Sequence, residues 1–198
     1  MSNIWGSTLF GLVRQNSTKA GYSSYVSPKV VELRVGRIIE VRKHENADRL
    51  YVSKVQIAEH PQSPKYAQVC SGLVDHIPIE AMLHSRVCLV TNLKPSKMRG
   101  IKSEAMLLAA TNTDGSKVEI VNPPRSIPLG TLLYFEGHKN EHENSTRLSS
   151  SQWKSIAENL HTDSNGNVVY GNEQPLLLRN EINDDPCTVR PLTNCKVR

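Results

Sequence analysis

Between Val30 and Arg42 apolar and charged residues alternate with a period of two. Val31, Leu33, Val35, Ile39 and Val41 take one face, and Glu32, Arg34, Glu40 and Arg42 take the other. Such alternation specifies a strand with one side on a core and one side on solvent. Gly36 interrupts this long strand and predicts a bend or bulge, the device by which one strand serves two parts of a small barrel.

The segments that follow are short and extended. A polar turn, His44 to Arg49, leads to a second strand over Leu50 to Ile57, and a connection holding Pro61 and Pro64 leads to a third over Tyr66 to Ser71. Pro78 ahead of Ile79-Glu80-Ala81-Met82-Leu83 predicts one helical turn. Arg86 to Thr91 and Ala105 to Ala110 read as strands four and five, followed by Lys117 to Val121 and Thr131 to Phe135. The fold class is all-β. Five short strands with a small helix between the third and fourth describe an OB-fold barrel, a fold used for oligonucleotides; another small barrel or sandwich fits the pattern as well.

Charge is unevenly placed along the 198 residues. The formal net charge is +5, with +2 in residues 1–27, +4 in 28–137 and −1 in 138–198. Arg86 to Lys102 carries five bases and no acid. Within it, Asn92-Leu93-Lys94-Pro95-Ser96-Lys97-Met98-Arg99-Gly100-Ile101-Lys102-Ser103 joins two apolar runs, as a basic loop presented by a packed scaffold would. Arg42, Lys43 and Arg49 flank the first turn. In an OB-fold the loops after strands 1 and 4 lie at one end of the binding face, so the two basic segments are expected to converge and offer cations to phosphates. Asn46, Ser71, Asn92 and Ser103 could add hydrogen bonds, and Tyr51 could stack on a base.

No G-x-S-x-G, Walker loop or H-E-x-x-H is present. His138 and His142 are four apart but lie in a polar stretch without a third ligand, so no metal site is expected, and no cofactor. Cys70, Cys88, Cys187 and Cys195 include no C-x-x-C pair and read as free thiols. No apolar run suits a membrane span. Residues 1–27 carry Arg14, Lys19 and six serines but no acid, with Ile4, Trp5, Leu9, Leu12 and Val13 near helical spacing. That composition fits a mitochondrial transit segment, with a disordered tail and a cytoplasmic address as the alternative. Residues 138–151 read as a linker or wrapping segment. Trp153, Ile156, Ala157 and Leu160 mark a short helix, and Asn165-Gly166-Asn167 marks a turn before Val168-Val169-Tyr170.

Val31 to Val41 together with His44 to Val52, Gln68-Val69-Cys70-Ser71-Gly72-Leu73-Val74, and Asn92 to Ser103 resemble the successive motifs of the tRNA-binding domain family. That family includes endothelial monocyte-activating polypeptide II, the C-terminal domain of some tyrosyl-tRNA synthetases and an aminoacylation cofactor. Trp153, Leu160-His161-Thr162, Val168 to Gly171 and Asn194 to Arg198 resemble the extra C-terminal domain of the endothelial polypeptide subgroup. The resemblance implies a tRNA-binding OB-fold domain over 28–137 and an accessory domain over 138–198 packed on the barrel in place of a dimer partner, hence a monomer. It implies tRNA as ligand, an aminoacyl-tRNA synthetase as partner and no catalysis. The RNA-facing residues it implies are Asn46, Arg49, Ser71, Asn92, Lys94, Lys97, Arg99, Lys102 and Ser103, to which the basic turn adds Lys43. Relatives often carry a lysine run before the tryptophan; here it reads Ser149-Ser150-Ser151-Gln152, so the tail is not expected to help hold RNA. Two other functions suit the same barrel: a chaperone-like or protein-interaction module, and a secreted cytokine-like polypeptide.

Overall fold

The computed structural model describes residues 27–59, 62–139, 146–172 and 174–198. The expected targeting segment, apart from Ser27, and His142 of the histidine pair lie outside them. Among the described residues the fold is all-β with two short α-helices. Strand β1 (Leu33–His44) is its hub. It pairs antiparallel with β2 (Ala47–Ala58) along its second half and with β4 (Arg86–Val90) along its first, and meets β10 (Leu132–Phe135) at Leu33 and Arg34. Strand β3 (Lys65–Ser71) pairs with the far side of β2. Helix α1 (Ile79–Met82) lies between β3 and β4 with Pro78 at its N-cap.

The alternation that defines β1 holds through Val35 and then changes phase. Ile38, not Ile39, is fully buried, because from Gly36 on it is the opposite face of the strand that packs inward. The two faces of β1 thus feed two cores, and the register shift between Ile38 and Glu40 keeps Val41 packed against the second. Val31, Leu33 and Val35 join one, while Ile38 joins Val55, Val69, Met82 and Leu89 in the other. Gly36 is therefore not the bulge. It lies in regular strand opposite Val87, and a Cβ there would stand 2.7 Å from Val55 Cγ1 and 3.0 Å from Leu89 Cδ1. Close packing of side chains over β1, rather than unusual backbone, requires the glycine.

Two further expectations are revised. The segment 92–103 is not an irregular loop: β5 (Ser96–Met98) and β6 (Ile101–Ser103) form a hairpin with Arg99 and Gly100 at its tip. The predicted fifth strand is two short ones. β7 (Met106–Leu107) pairs with β4, whereas β8 (Ala109–Thr111) pairs with β9 (Val118–Ile120) and with β14 (Lys196–Val197).

The C-terminal region continues the same sheet. β11 (Leu160–Thr162), β12 (Val168–Tyr170) and β13 (Leu176–Asn180) form a meander; β13 pairs with β10, and β14 joins β11 to β8. Leu148, Ile156, Leu160, Tyr170, Leu178 and Val197 share one core with Leu33, Leu133 and Phe135. Strands β11 to β14 are thus built into the β1–β10 structure and not strung from it. Leu148, in the expected linker, is buried and bonded through its backbone to Asn92 and Lys94. Helix α2 (Ser150–Ala157) opens with a capping box of Ser149 and Gln152. Leu160 falls outside α2, in β11. None of the described helices is long and apolar enough to cross a membrane.

Candidate nucleic-acid interface

The β1–β2 turn and the β5–β6 hairpin meet through His44. Its ring is buried; Nδ1 accepts the Asn46 backbone N–H at 3.0 Å, and Nε2 lies 3.1 Å from the Met98 carbonyl. With Nδ1 acting as acceptor, Nε2 carries the proton and donates to Met98. His44 is a strut between the two basic segments, and nothing in the sequence pattern singles it out from a turn-flanking polar residue.

The hairpin is also fastened to β3. Gln68 Nε2 donates to the Lys102 carbonyl at 2.7 Å, the Gln68 backbone N–H donates to Glu104 Oε2 at 3.1 Å, and Glu104 N–H donates to the Gln68 carbonyl at 2.8 Å. Glu104 also takes Lys102 Nζ at 2.9 Å, and this hydrogen bond and that from Gln68 hold its carboxyl below the usual range. Arg99 and Gly100 both have positive φ, 49° and 95°. This is the backbone a two-residue hairpin turn demands, and it holds the Arg99 side chain at the exposed tip.

Lys43, Lys94, Lys97 and Arg99 are exposed and have no acidic partner among the described residues. Lys97 lies opposite Lys102 across the hairpin, so two like charges face each other on one small element. Lys102 is exposed but paired with Glu104, and Arg49 is exposed but paired with Asp75. Asn46 is exposed at the first turn. Ser71 is half-buried, and its hydroxyl, shielded from solvent, has no partner among the described residues.

Three expected contacts lie inside the protein. Asn92 is buried; its Oδ1 accepts the Glu32 N–H at 2.9 Å, and its Nδ2 donates to the carbonyls of Val30 and Thr146 at 2.8 and 3.1 Å. It ties the chain around residue 146 to the start of β1. Ser103 is buried, accepting from Cys70 N–H and donating to the Ala105 carbonyl, both at 3.0 Å. Tyr51 is a core residue, with its hydroxyl donating to the Ile77 carbonyl at 2.9 Å; burial, helped by Glu80, pushes its ionisation up. Arg86, counted in the basic run, is half-buried against the Ile127 carbonyl and contributes nothing to the exposed patch.

An exposed aromatic lies elsewhere. Tyr66 on β3 is 43% exposed, with Lys54 Nζ 4.8 Å from its ring centre. Lys65 and Tyr66, both exposed at the start of β3, were the available signal. All four cysteines are free and buried; Cys88 and Cys187 approach to 3.7 Å between sulfurs, and burial raises the Cys88 thiol well above its ordinary value.

The family model described as "Putative tRNA binding domain" matches residues 33–132, the span from β1 to the start of β10. The chain is 45% identical over 139 residues to the "Probable methionine--tRNA ligase" of Oryza sativa subsp. japonica, covering 70% of this chain and 17% of that one. It is 36% identical over 156 residues to the "Aminoacyl tRNA synthase complex-interacting multifunctional protein 1" of Cricetulus griseus, covering 79% of this chain and 42% of the relative. The chain therefore spans less than half the length of these curated relatives. The C-terminal domain of Plasmodium vivax p43 has the same fold, with a TM-score of 0.72 at 24% identity over 88% of this chain and all of that one. The chain belongs to the tRNA-binding domain family.

Proposed function

We propose that this protein is a non-catalytic tRNA-binding module on an OB-fold, which holds tRNA through backbone charge and shape and assists an aminoacyl-tRNA synthetase. The observation that carries this reading is the union, through His44, of two basic segments some fifty residues apart. It turns Lys43, Lys97 and Arg99 into one surface fixed to the sheet. A rigid basic surface pays little ordering entropy when it meets phosphates and reads no base by itself. Similarity to a tRNA ligase and to a synthase-complex protein supports the synthetase partner. Continuity of residues 138–198 with the β10 and β8 edges favours a monomer, since those strand edges are already taken.

A gel-shift titration of tRNA at several salt concentrations tests the reading. Four unpaired cations predict a log–log slope of about −3.6. A flat salt dependence refutes charge-driven binding. The address we propose for residues 1–27 is mitochondrial; a reporter fused to residues 1–30 that stays diffuse in the cytosol refutes it.

A further inference from the structure

Where the hairpin, β3 and the C-terminal region meet lies a cavity of about 490 Å³ that is open to solvent on one side, within the size range of small-ligand sites. Leu73 and Met106 line it from the β1–β4 region, Met98 from the hairpin and Trp153 from α2. Trp153 is half-buried, so part of its indole remains open to a ligand. Lys94 and Arg198 line it and are exposed, which places positive charge on its solvent side. The one carboxylate in the lining, Glu104, is already engaged by Lys102 and the Gln68 N–H.

We propose that this cavity receives one unstacked nucleotide of a single-stranded part of the RNA held on the hairpin. The inference rests on the RNA-binding reading above and adds a site to it. Each part of the cavity has a counterpart on a nucleotide. The indole and thioethers offer a surface for a base, and Lys94 with Arg198 suits the flanking phosphates. A purely apolar peptide side chain would leave the rim charges unused. Duplex RNA keeps its bases stacked and would occupy the hairpin alone.

The test uses the full chain with Trp5→Phe, which leaves Trp153 as the sole tryptophan. Its fluorescence is followed while a short oligoadenylate, a blunt RNA duplex and an apolar peptide are titrated in turn; gel shifts report RNA binding independently. The oligoadenylate is expected to change Trp153 emission saturably, and the duplex to be shifted in gels without changing it. Thr111→Phe, a β8 substitution that fills the cavity from a strand position suited to an aromatic, is expected to weaken oligoadenylate about tenfold and leave duplex unaffected. If that variant fails to fold, the emission of Trp153 with the three probes decides alone. Equal binding of duplex and oligoadenylate with Trp153 unmoved overturns the pocket and leaves the hairpin reading standing. Absence of any RNA shift overturns the parent reading. A response to peptide and not to oligoadenylate assigns the cavity to polypeptide and overturns the proposal.

Discussion

Neutralising the hairpin tip without disturbing its backbone is the sharpest test of the interface. Lys97→Gln with Arg99→Asn removes two of the four unpaired cations. Asn is chosen because position 99 has φ of 49°, and Asn tolerates the left-handed region better than most residues. Gln at 97 removes the like-charge pair with Lys102, so the hairpin gains slightly if it changes at all. Each phosphate contact contributes a slope of about −0.9, so the double variant should flatten the tRNA salt dependence from about −3.6 to about −1.8. Extrapolated from 1 M salt, the same relation makes one contact worth about 8-fold in affinity at 0.1 M, and two about 60-fold. Gel shifts across a salt series measure both quantities, and a thermal melt checks the fold. An unchanged slope in a folded variant would remove the hairpin from the interface and refute the argument.

Other residues separate structural from binding roles. Gly36→Ala should destabilise by about 1–3 kcal/mol, since its methyl must displace Val55 and Leu89; a melt matching wild type would show that β1 relaxes there. Asn92→Ala loses three buried hydrogen bonds and should cost about 3 kcal/mol. At temperatures where it stays folded it should bind tRNA normally, and a loss of affinity instead would make Asn92 an RNA contact. The Glu104 carboxyl is held low by Lys102 and Gln68. Its contribution is complete above the ordinary value of 4.5 and is lost as pH falls through the depressed folded value. NMR shifts of Gln68 and Lys102 should follow that titration, and Glu104→Gln should abolish it; movement that persists in the variant would implicate another group.

How far the sequence could be read depended on how many faces a residue touches. β1 and β2 were legible because strands buried on one side alternate visibly. Tyr51 was not, because the strand around it is buried on both sides: Tyr51, Val52 and Ser53 are all inside. The hairpin was hidden by its turn. Arg-Gly is a rarer pair at two positive-φ positions than Asn-Gly or Asp-Gly, so a strand–turn–strand unit looked like a basic loop. Cations at its surface were nevertheless correctly identified as exposed, since charge without a partner stays in water. Neutral residues in the same motifs carry no such constraint. Asn92 and Ser103 could have faced either way, and the choice is made by backbone groups distant in sequence, Glu32 and Thr146 for one and Cys70 for the other. His44 is equally silent, because its meaning lies in the carbonyl of Met98.

The acidic balance of residues 138–198 argued that the tail adds nothing to RNA binding, yet charge is only one of two terms in that free energy. The tail gives the cavity Trp153, an apolar surface whose effect does not depend on counterions, as well as the rim cation Arg198. Salt therefore separates the two elements. Changes on the hairpin alter the slope of affinity against salt, whereas Thr111→Phe excludes the base and leaves the rim cations on the flanking phosphates, so it should shift the whole line for single-stranded RNA downward by about tenfold and leave its slope alone. A slope that changes with Thr111→Phe would mean that the cavity holds phosphate and not base. In that event the C-terminal region would act through Arg198 and not Trp153, and Arg198→Gln would reproduce the change.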